Sequence, residues 1–270
     1  MINSTILLTR ATGITGATLA SGPYFWLLSS YLVAANIVIT LVLLFGVRIA
    51  LLKQGKTKFE VLPIISALGT VLIAWYALVL FLACQGVFTS ALNQQVPLIG
   101  FAIGIPIIIG AVLMTTLRSV REIIAAVPQS WLVRFQFYRV LGVVFVILYM
   151  AGQLPAIFGV PAGYGDVLVG VTALFVGAAQ ARSLAARNQL VVLWNWFGLA
   201  DFVVAVTTGF LSAPTRFQIF SLDAPNTLIG SFPLVLIPIY AVPLSVLLHI
   251  ASLTKVAKAH RTGVENMVTA

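Results

Sequence analysis

The sequence predicts an all-α, polytopic membrane protein in which seven transmembrane helices form one bundle. Three observations support this fold class. Of the 270 residues, 61% are hydrophobic and only 8% are charged, whereas water-soluble domains carry about 25% charged residues. The apolar residues fall in seven runs, most of them near the roughly 20 residues that a helix needs to cross the hydrocarbon. Lysine and arginine gather where these runs end.

The seven runs define the predicted domain organisation. Residues 1–23 are expected to form an N-terminal lead-in, residues 24–254 the transmembrane domain and residues 255–270 a basic cytoplasmic tail. The loops between the runs are brief, which favours one compact bundle without a soluble domain. The predicted spans are Tyr24–Val47, Val61–Cys84, Val96–Leu117, Val133–Gly152, Gly165–Ala181, Leu190–Leu211 and Ser231–Thr254.

Lysine and arginine also predict the orientation of the bundle. Thirteen of these residues fall on one side of the predicted spans, and two, Arg10 and Arg216, fall on the other. Cytoplasmic loops are enriched in positive charge, so the N-terminus is predicted outside and the C-terminus in the cytoplasm. The thirteen are Arg48, Lys53, Lys56, Lys58, Arg118, Arg121, Arg134, Arg139, Arg182, Arg187, Lys255, Lys258 and Arg261.

The sequence argues against several cofactors and partners. A retinal Schiff base needs a lysine deep in the last helix, but there is none between Lys58 and Lys255. Haem held between helices needs paired axial ligands, and the two histidines are His249 and His260. The single cysteine, Cys84, lies in an apolar run and belongs to no cluster with metal-ligand spacing. We therefore expect no cofactor, no metal and, despite the net charge of +9, no nucleic-acid partner.

One carboxylate is predicted to lie near the middle of the membrane. Asp201, in WNWFGLADFVVAV, falls about 16 Å from the cytoplasmic edge if each residue of the sixth span rises by about 1.5 Å. An ionisable group at that depth is costly and needs a partner or a function. Arg139, about 9 Å into the fourth span, is its candidate partner, with Gln136 on the same face one turn below. Two alternatives remain open: Arg139 extends to the cytoplasmic headgroups, or Asp201 is protonated.

Two further polar residues fall within predicted spans. Asn36 in span one is expected near the midplane, where it would hydrogen-bond Asp201 or hold two helices together. His249 falls in the last two turns of span seven and is either a hydrogen-bonded packing residue or a proton relay. With Asp166 at the start of span five, Asp201 and His249 would place ionisable groups at spaced depths along a proton pathway.

The segment PAGYGD, which ends at Asp166, has two interpretations. In the first, Pro161 stops the preceding helix and Asp166 caps the start of span five at the outer surface. In the second, the apolar link before span five re-enters the membrane, because residues 154–181 are too many for a loop and a short span. Gln153, Tyr164 and Asp166 would then form an outer gate or binding surface.

Spans three and seven share a pattern that suggests a duplicated transporter. Each begins with a Pro-Leu pair, at Pro97 and Pro233, and each has a second proline, Pro106 or Pro243, twelve residues before a terminal cation. With span four as a connector, this three-plus-one-plus-three plan resembles that of the SWEET-type sugar permeases, which implies transport. The alternative, two unrelated proline-containing helices that end in a basic residue, stays open. The prolines at 106, 238 and 243 also predict kinks that favour an internal cavity.

These features predict a small permease or channel-like transporter for a small polar solute or ion, with proton coupling through Asp201 as its candidate mechanism. The alternative is a seven-helix sensor or binding module, without retinal, for an apolar ligand or a partner protein. An enzyme is disfavoured because no neighbouring residues form a nucleophile–base or paired-carboxylate arrangement. The expected location is the plasma membrane, specifically a bacterial cytoplasmic membrane. Expected partners are the lipid bilayer and the transported solute or ion, and a second copy of the chain or another membrane protein is left open.

Overall fold

The computed structural model describes residues 23–89, 98–182 and 186–268, and every regular element within these ranges is a helix. The predicted lead-in therefore lies outside the described residues, except for its last residue. The α-helices are α1 (Pro23–Lys53), α2 (Lys58–Cys84), α3 (Leu98–Thr116), α4 (Arg118–Ala126), α5 (Gln129–Phe135), α6 (Val143–Met150), α7 (Ala156–Arg182), α8 (Ala186–Ser212) and α9 (Val242–Val268).

The described residues contain seven helices that are long and apolar enough to cross a membrane, so the predicted number of spans is confirmed. This composition and length indicate a multi-pass membrane protein. Numbered in chain order, the spans are Tyr24–Lys53, Lys58–Cys84, Leu98–Thr116, Gln129–Met150, Ala156–Ala181, Asn188–Ser212 and Ile237–Ala259.

Two spans depart from regular α-helical geometry. Span four consists of α5, a 3₁₀ segment over Gln136–Gly142, and α6. Span seven begins with a π-helical turn over Ile237–Ala241 that contains Pro238, and it continues as α9. A 3₁₀ stretch or a π turn inside a long helix changes the direction of the side chains around it and is frequent at functional sites. The 3₁₀ segment carries a member of the polar cluster described below, and the π turn borders a cavity beside that cluster.

Span five occupies the centre of one half of the bundle. It packs against span four along the whole of α5, the 3₁₀ segment and α6, and against α8 on its other side. Span three is its opposite: it packs mainly on span seven, and none of its residues is buried. An apolar cluster joins spans one, two and seven around Tyr240, which is fully buried.

The start of span five differs from both interpretations of PAGYGD. Gly152, with φ of 70°, ends span four, and its neighbour Gln153 donates its backbone N–H to Leu148 O at 2.8 Å. The next helix then begins at Ala156 and runs without a break past Pro161. The interpretation of Pro161 as a helix stop is wrong, and so is the re-entrant link. Proline is tolerated early in a membrane helix because few hydrogen bonds precede it there and neighbouring helices cover the freed carbonyl.

The end of the bundle that carries Lys53, Lys56, Lys58, Arg118 and Lys255 is called the basic end below. Short contacts tie its elements together: Lys56 Nζ lies 3.3 Å from Glu122 Oε2. Lys255 Nζ donates to three carbonyls at the end of α4, those of Ile124, Ala125 and Val127, at 2.6–3.1 Å. Past this contact α9 continues as helix to Val268, through most of the predicted tail.

Candidate functional site

Arg139 stands at the centre of a buried polar cluster. It lies in the 3₁₀ segment of span four, and its side chain is 2% exposed. Its Nε donates to Asp166 Oδ1 at 2.8 Å, and its Nη2 donates to Asp201 Oδ2. Its Nη1 donates to the backbone carbonyl of Gly198 at 3.3 Å and lies 3.2 Å from His249 Nε2. One guanidinium thus joins spans four, five, six and seven.

All four ionisable members of the cluster lie at mid-depth. Arg139, Asp166, Asp201 and His249 each fall within three residues of the midpoint of their span. The predicted ion pair between Arg139 and Asp201 is present. The alternative in which Arg139 extends to the headgroups is wrong, because its guanidinium is held by two carboxylates inside the bundle.

The position of Asp166 differs most from the sequence-based expectation. It was expected to cap a helix at the outer surface, but α7 starts ten residues earlier, at Ala156. At about 1.5 Å per residue, this places Asp166 about 15 Å along the helix. It is 8% exposed and paired with Arg139. A carboxylate cap would sit in solvent at the first free amides, so the capping role of Asp166 is wrong.

Three glycines make room for the cluster. A Cβ on Gly165 would collide with Asp201 Oδ1, and a Cβ on Gly142 would approach Asp166 Oδ2 to 2.5 Å. A Cβ on Gly198 would lie 2.5 Å from His249 Cε1. Each charged or polar group therefore occupies the volume of a missing side chain on the neighbouring helix. This is the physical role of Gly165 in PAGYGD: it admits the carboxylate of span six against the backbone of span five.

His249 is held in one tautomer by its neighbours. Its Nδ1 lies 2.8 Å from Asn195 Oδ1, an atom that only accepts hydrogen bonds. Nδ1 therefore carries the proton, and Nε2 accepts from Arg139 Nη1. A neutral imidazole satisfies both contacts. His249 is fully buried and also packs its ring beside Phe202, over which the guanidinium of Arg139 lies at 3.8 Å.

A chain of hydrogen-bonded polar side chains, called the polar file below, runs from His249 to the basic end. Asn195 Nδ2 donates to Ser252 Oγ at 2.9 Å, and Gln129 Nε2 donates to the same oxygen at 2.6 Å. Gln129 begins span four at the basic end and is half-buried. Neither Asn195 nor Gln129 was singled out from the sequence. A sequence signal for Asn195 does exist. This residue lies on the same face of α8 as Gly198 and Phe202, because these residues are spaced three and four apart.

Two cavities meet at this cluster. The first, called the phenylalanine cavity after four of its lining residues, is bordered by Asp166 and has about 70 Å³ of space for the centres of water-sized molecules. The second is smaller, about 40 Å³ by the same measure, and is bordered by Asn36, Tyr138, Arg139 and Asp166. Asp166 lies in the wall of both. Each volume exceeds the roughly 10–15 Å³ that one water needs.

Asn36, Gln136 and Gln153 make their described hydrogen bonds outside the cluster. Asn36 Nδ2 donates to Leu32 O in its own helix at 2.9 Å, and its predicted bond to Asp201 is absent among the described contacts. Gln136 is buried and donates to Ser245 O of span seven at 3.0 Å. The outer gate of Gln153, Tyr164 and Asp166 is wrong. Tyr164 is 56% exposed, Gln153 contacts Ala151 O in the turn, and Asp166 points into the bundle.

The arrangement places two carboxylates against one guanidinium. With both carboxylates ionised, Arg139 positive and His249 neutral, the cluster carries one net negative charge. No group of three or more His, Cys, Asp or Glu among the described residues could hold a metal ion. The site can therefore bind and release one proton or another single positive charge.

Comparison with known proteins gives one family. No curated protein and no solved structure matches the chain. Residues 96–257, more than half of the chain, match the family described as Domain of unknown function (DUF8737). The matched segment runs from span three to span seven and includes all four ionisable residues of the cluster. The chain belongs to this family of domains of unknown function, DUF8737.

Proposed function

We propose that this protein is a small multi-pass permease that moves a small solute or ion across the membrane in exchange or together with a proton. The observation that carries the proposal is the position of the Arg139–Asp166 ion pair. It lies at mid-depth, and both of its members border a cavity. A purely structural ion pair would be stabilised by dry, tight packing rather than by space beside it.

The proposed orientation follows the distribution of lysine and arginine. The basic end faces the cytoplasm, which puts the N-terminus outside. The phenylalanine cavity then lies in the outer half of the bundle, because each residue of a span that borders it falls in the half away from the basic end. The polar file from His249 to Gln129 lies in the inner half.

The cluster offers a simple coupling mechanism. When a proton binds to Asp166 or Asp201, that carboxylate becomes neutral and its hold on the Arg139 guanidinium weakens. Arg139 lies in a 3₁₀ segment, and span seven begins with a π turn whose residues Ile237 and Ala241 border the same cavity as Arg139, so both helices can change geometry near the site. Protonation in one conformation and release in the other would couple the proton to the solute.

The proposal is tested by electrical recording from liposomes that contain the purified full-length protein on a solid-supported membrane. A jump in pH, alone and with small solutes of different charge, is the stimulus. Proton binding at mid-depth moves charge within the membrane, so the wild-type protein should give a displacement current that empty liposomes lack. Asp166→Asn should reduce this current strongly. Asp223→Asn, which changes an exposed loop carboxylate, is the matched control and should leave it unchanged. Wild-type currents equal to those of empty liposomes would rule out the permease.

A second candidate function is a binding module for an apolar ligand. It is favoured by the lining of the phenylalanine cavity, in which two of the eighteen residues, Asp166 and Thr215, have polar side chains. Apolar pockets with few polar groups are typical of small-molecule sites. This candidate predicts ligand binding without any solute-dependent or proton-dependent current in the same liposomes.

A further inference from the structure

The phenylalanine cavity combines an apolar wall with one carboxylate. Four aromatic rings, those of Phe145, Phe158, Phe202 and Phe210, contribute to the wall. The cavity has about 70 Å³ of space for the centres of water-sized molecules. One water needs roughly 10–15 Å³ by that measure, so the cavity has room for a compact organic molecule in place of several waters.

Asp166 is the innermost residue of α7 in that wall. Its side chain is 12% exposed, and its Oδ1 accepts from Arg139 Nε. Its second oxygen, Oδ2, receives no hydrogen bond from any residue that the structure describes. A carboxylate oxygen has acceptor sites that a further donor can fill. Because Asp166 borders the cavity, a hydrogen-bond donor that enters the cavity can reach this carboxylate.

The charge of the cluster selects the kind of donor. Two carboxylates face one guanidinium, so a single positive charge entering the cavity would bring the cluster to neutrality. An anion would meet the excess negative charge and be repelled. A sugar-like solute with many hydroxyls would leave most of them unpaired against phenylalanine and aliphatic side chains. A cation with an apolar body fits the rings as well as the carboxylate.

We propose that the phenylalanine cavity binds a compact amphiphilic amine, a single protonated ammonium group on an aromatic or aliphatic body, and that this is the substrate class of the permease. The proposal rests on the proposed function and deepens it. The ammonium group donates to the Asp166 carboxylate, and the body packs among the four phenylalanine rings. Because the ammonium and a proton neutralise the same excess charge, the two compete for the cluster, which suits exchange of the amine for a proton.

The test compares three probes of nearly equal shape. They are 2-phenylethylamine, which is positive at neutral pH, 2-phenylethanol, which is neutral, and 3-phenylpropionate, which is negative. Their binding to the purified full-length protein in detergent is measured by saturation-transfer NMR and calorimetry. The amine is expected to bind at least about tenfold more tightly than the alcohol, which corresponds to about 1.4 kcal/mol. No binding of 3-phenylpropionate is expected.

Three variants sharpen the result. Asp166→Asn should remove the preference for the amine but keep weak binding of the alcohol. Ala205→Leu, which fills the cavity and leaves every ionisable residue in place, should weaken both probes. It keeps the test decisive if Asp166→Asn does not fold. Asp223→Asn should bind like the wild type. Equal affinity for amine and alcohol, tighter binding of the anion, or no binding of any probe would overturn the assignment.

The binding test and the electrical test fail independently. If the amine does not bind but a pH jump still produces current, the proposed substrate class is wrong and the permease stands. If the amine binds with the expected preference and no current is found for protons or amine, the cavity belongs to a binding module instead.

Discussion

Spans five and three share several sequence features but have opposite environments. Both are apolar helices with several glycines and one internal proline, Pro161 in α7 and Pro106 in α3. Span five lies between spans four and six, whereas no residue of span three is buried. The difference is clearest at the glycines. A Cβ on Gly163 would lie 2.5 Å from Val146 Cγ2, but a Cβ on Gly104 would meet nothing within 4 Å.

This contrast shows what small residues do and do not determine. Glycine permits a neighbouring helix to come close, but it supplies no attraction of its own in a membrane, where lipid is as apolar as the helix. Span five carries Asp166 and faces Arg139 and Asp201, so strong polar contacts draw helices onto its glycines. Span three has no charged residue, and it remains at the edge of the bundle.

The largest effect is expected from breaking the polar cluster. Arg139→Met leaves two carboxylates buried without a cation and should lower the free energy of unfolding by about 3–5 kcal/mol. Arg118→Met, next to the end of span three, removes an arginine whose side chain is 87% exposed and should change stability within experimental error. Reversible unfolding in mixed detergent micelles measures both.

A triple variant separates lost charge balance from lost packing at Arg139. Arg139→Met combined with Asp166→Asn and Asp201→Asn has no uncompensated charge in the cluster. It should recover most of the stability that the single substitution loses. A triple variant as unstable as Arg139→Met would mean that the side-chain shape of arginine, rather than its charge, holds these four spans together.

An intermediate effect on stability is expected from replacing one glycine by alanine in span five or in span three. Gly165→Ala forces a Cβ onto Asp201 Oδ1 and should destabilise the protein by about 1–3 kcal/mol. Gly104→Ala enters open space and should instead stabilise it by about 0.5–1 kcal/mol, through the higher helix propensity of alanine. The same unfolding assay gives both values, and two changes of the same sign would contradict the difference in packing between the spans.

The smallest effect concerns the link between span three and the basic end. Hydrogen bonds from Arg118 and Lys56 hold the pKa of Glu122 in α4 below its usual value of 4.5. Because the folded pKa is lowered, the stabilisation is complete above pH 4.5 and is lost as the pH falls through the lower, folded value. Glu122→Gln should therefore reduce the stability difference between pH 6 and pH 3 slightly. A stability profile identical to that of the wild type would show that this exposed cluster contributes nothing.

The sequence was sufficient for the number of spans because lipid imposes one requirement that can be read locally: about 20 apolar residues for each crossing. It also indicated the pair of Arg139 and Asp201, because a charge deep in an apolar run needs a partner. It did not reveal Asp166 as the second partner. PAGYGD has the local chemistry of a helix start, and the same residues also suit the interior of a tightly packed helix.

The number of crossings and the mid-depth of Asp201 were thus determined by composition and spacing alone, and Arg139 was among the alternatives that the sequence offered for its partner. The tertiary structure alone decided that α7 begins at Ala156, that Asp166 turns inward and that His249 bonds to Asn195 and Arg139. The physical reason is the range of the forces involved. Transfer of a segment into lipid depends on its own residues, whereas the place of a carboxylate among helices depends on volumes and charges that distant segments bring to it.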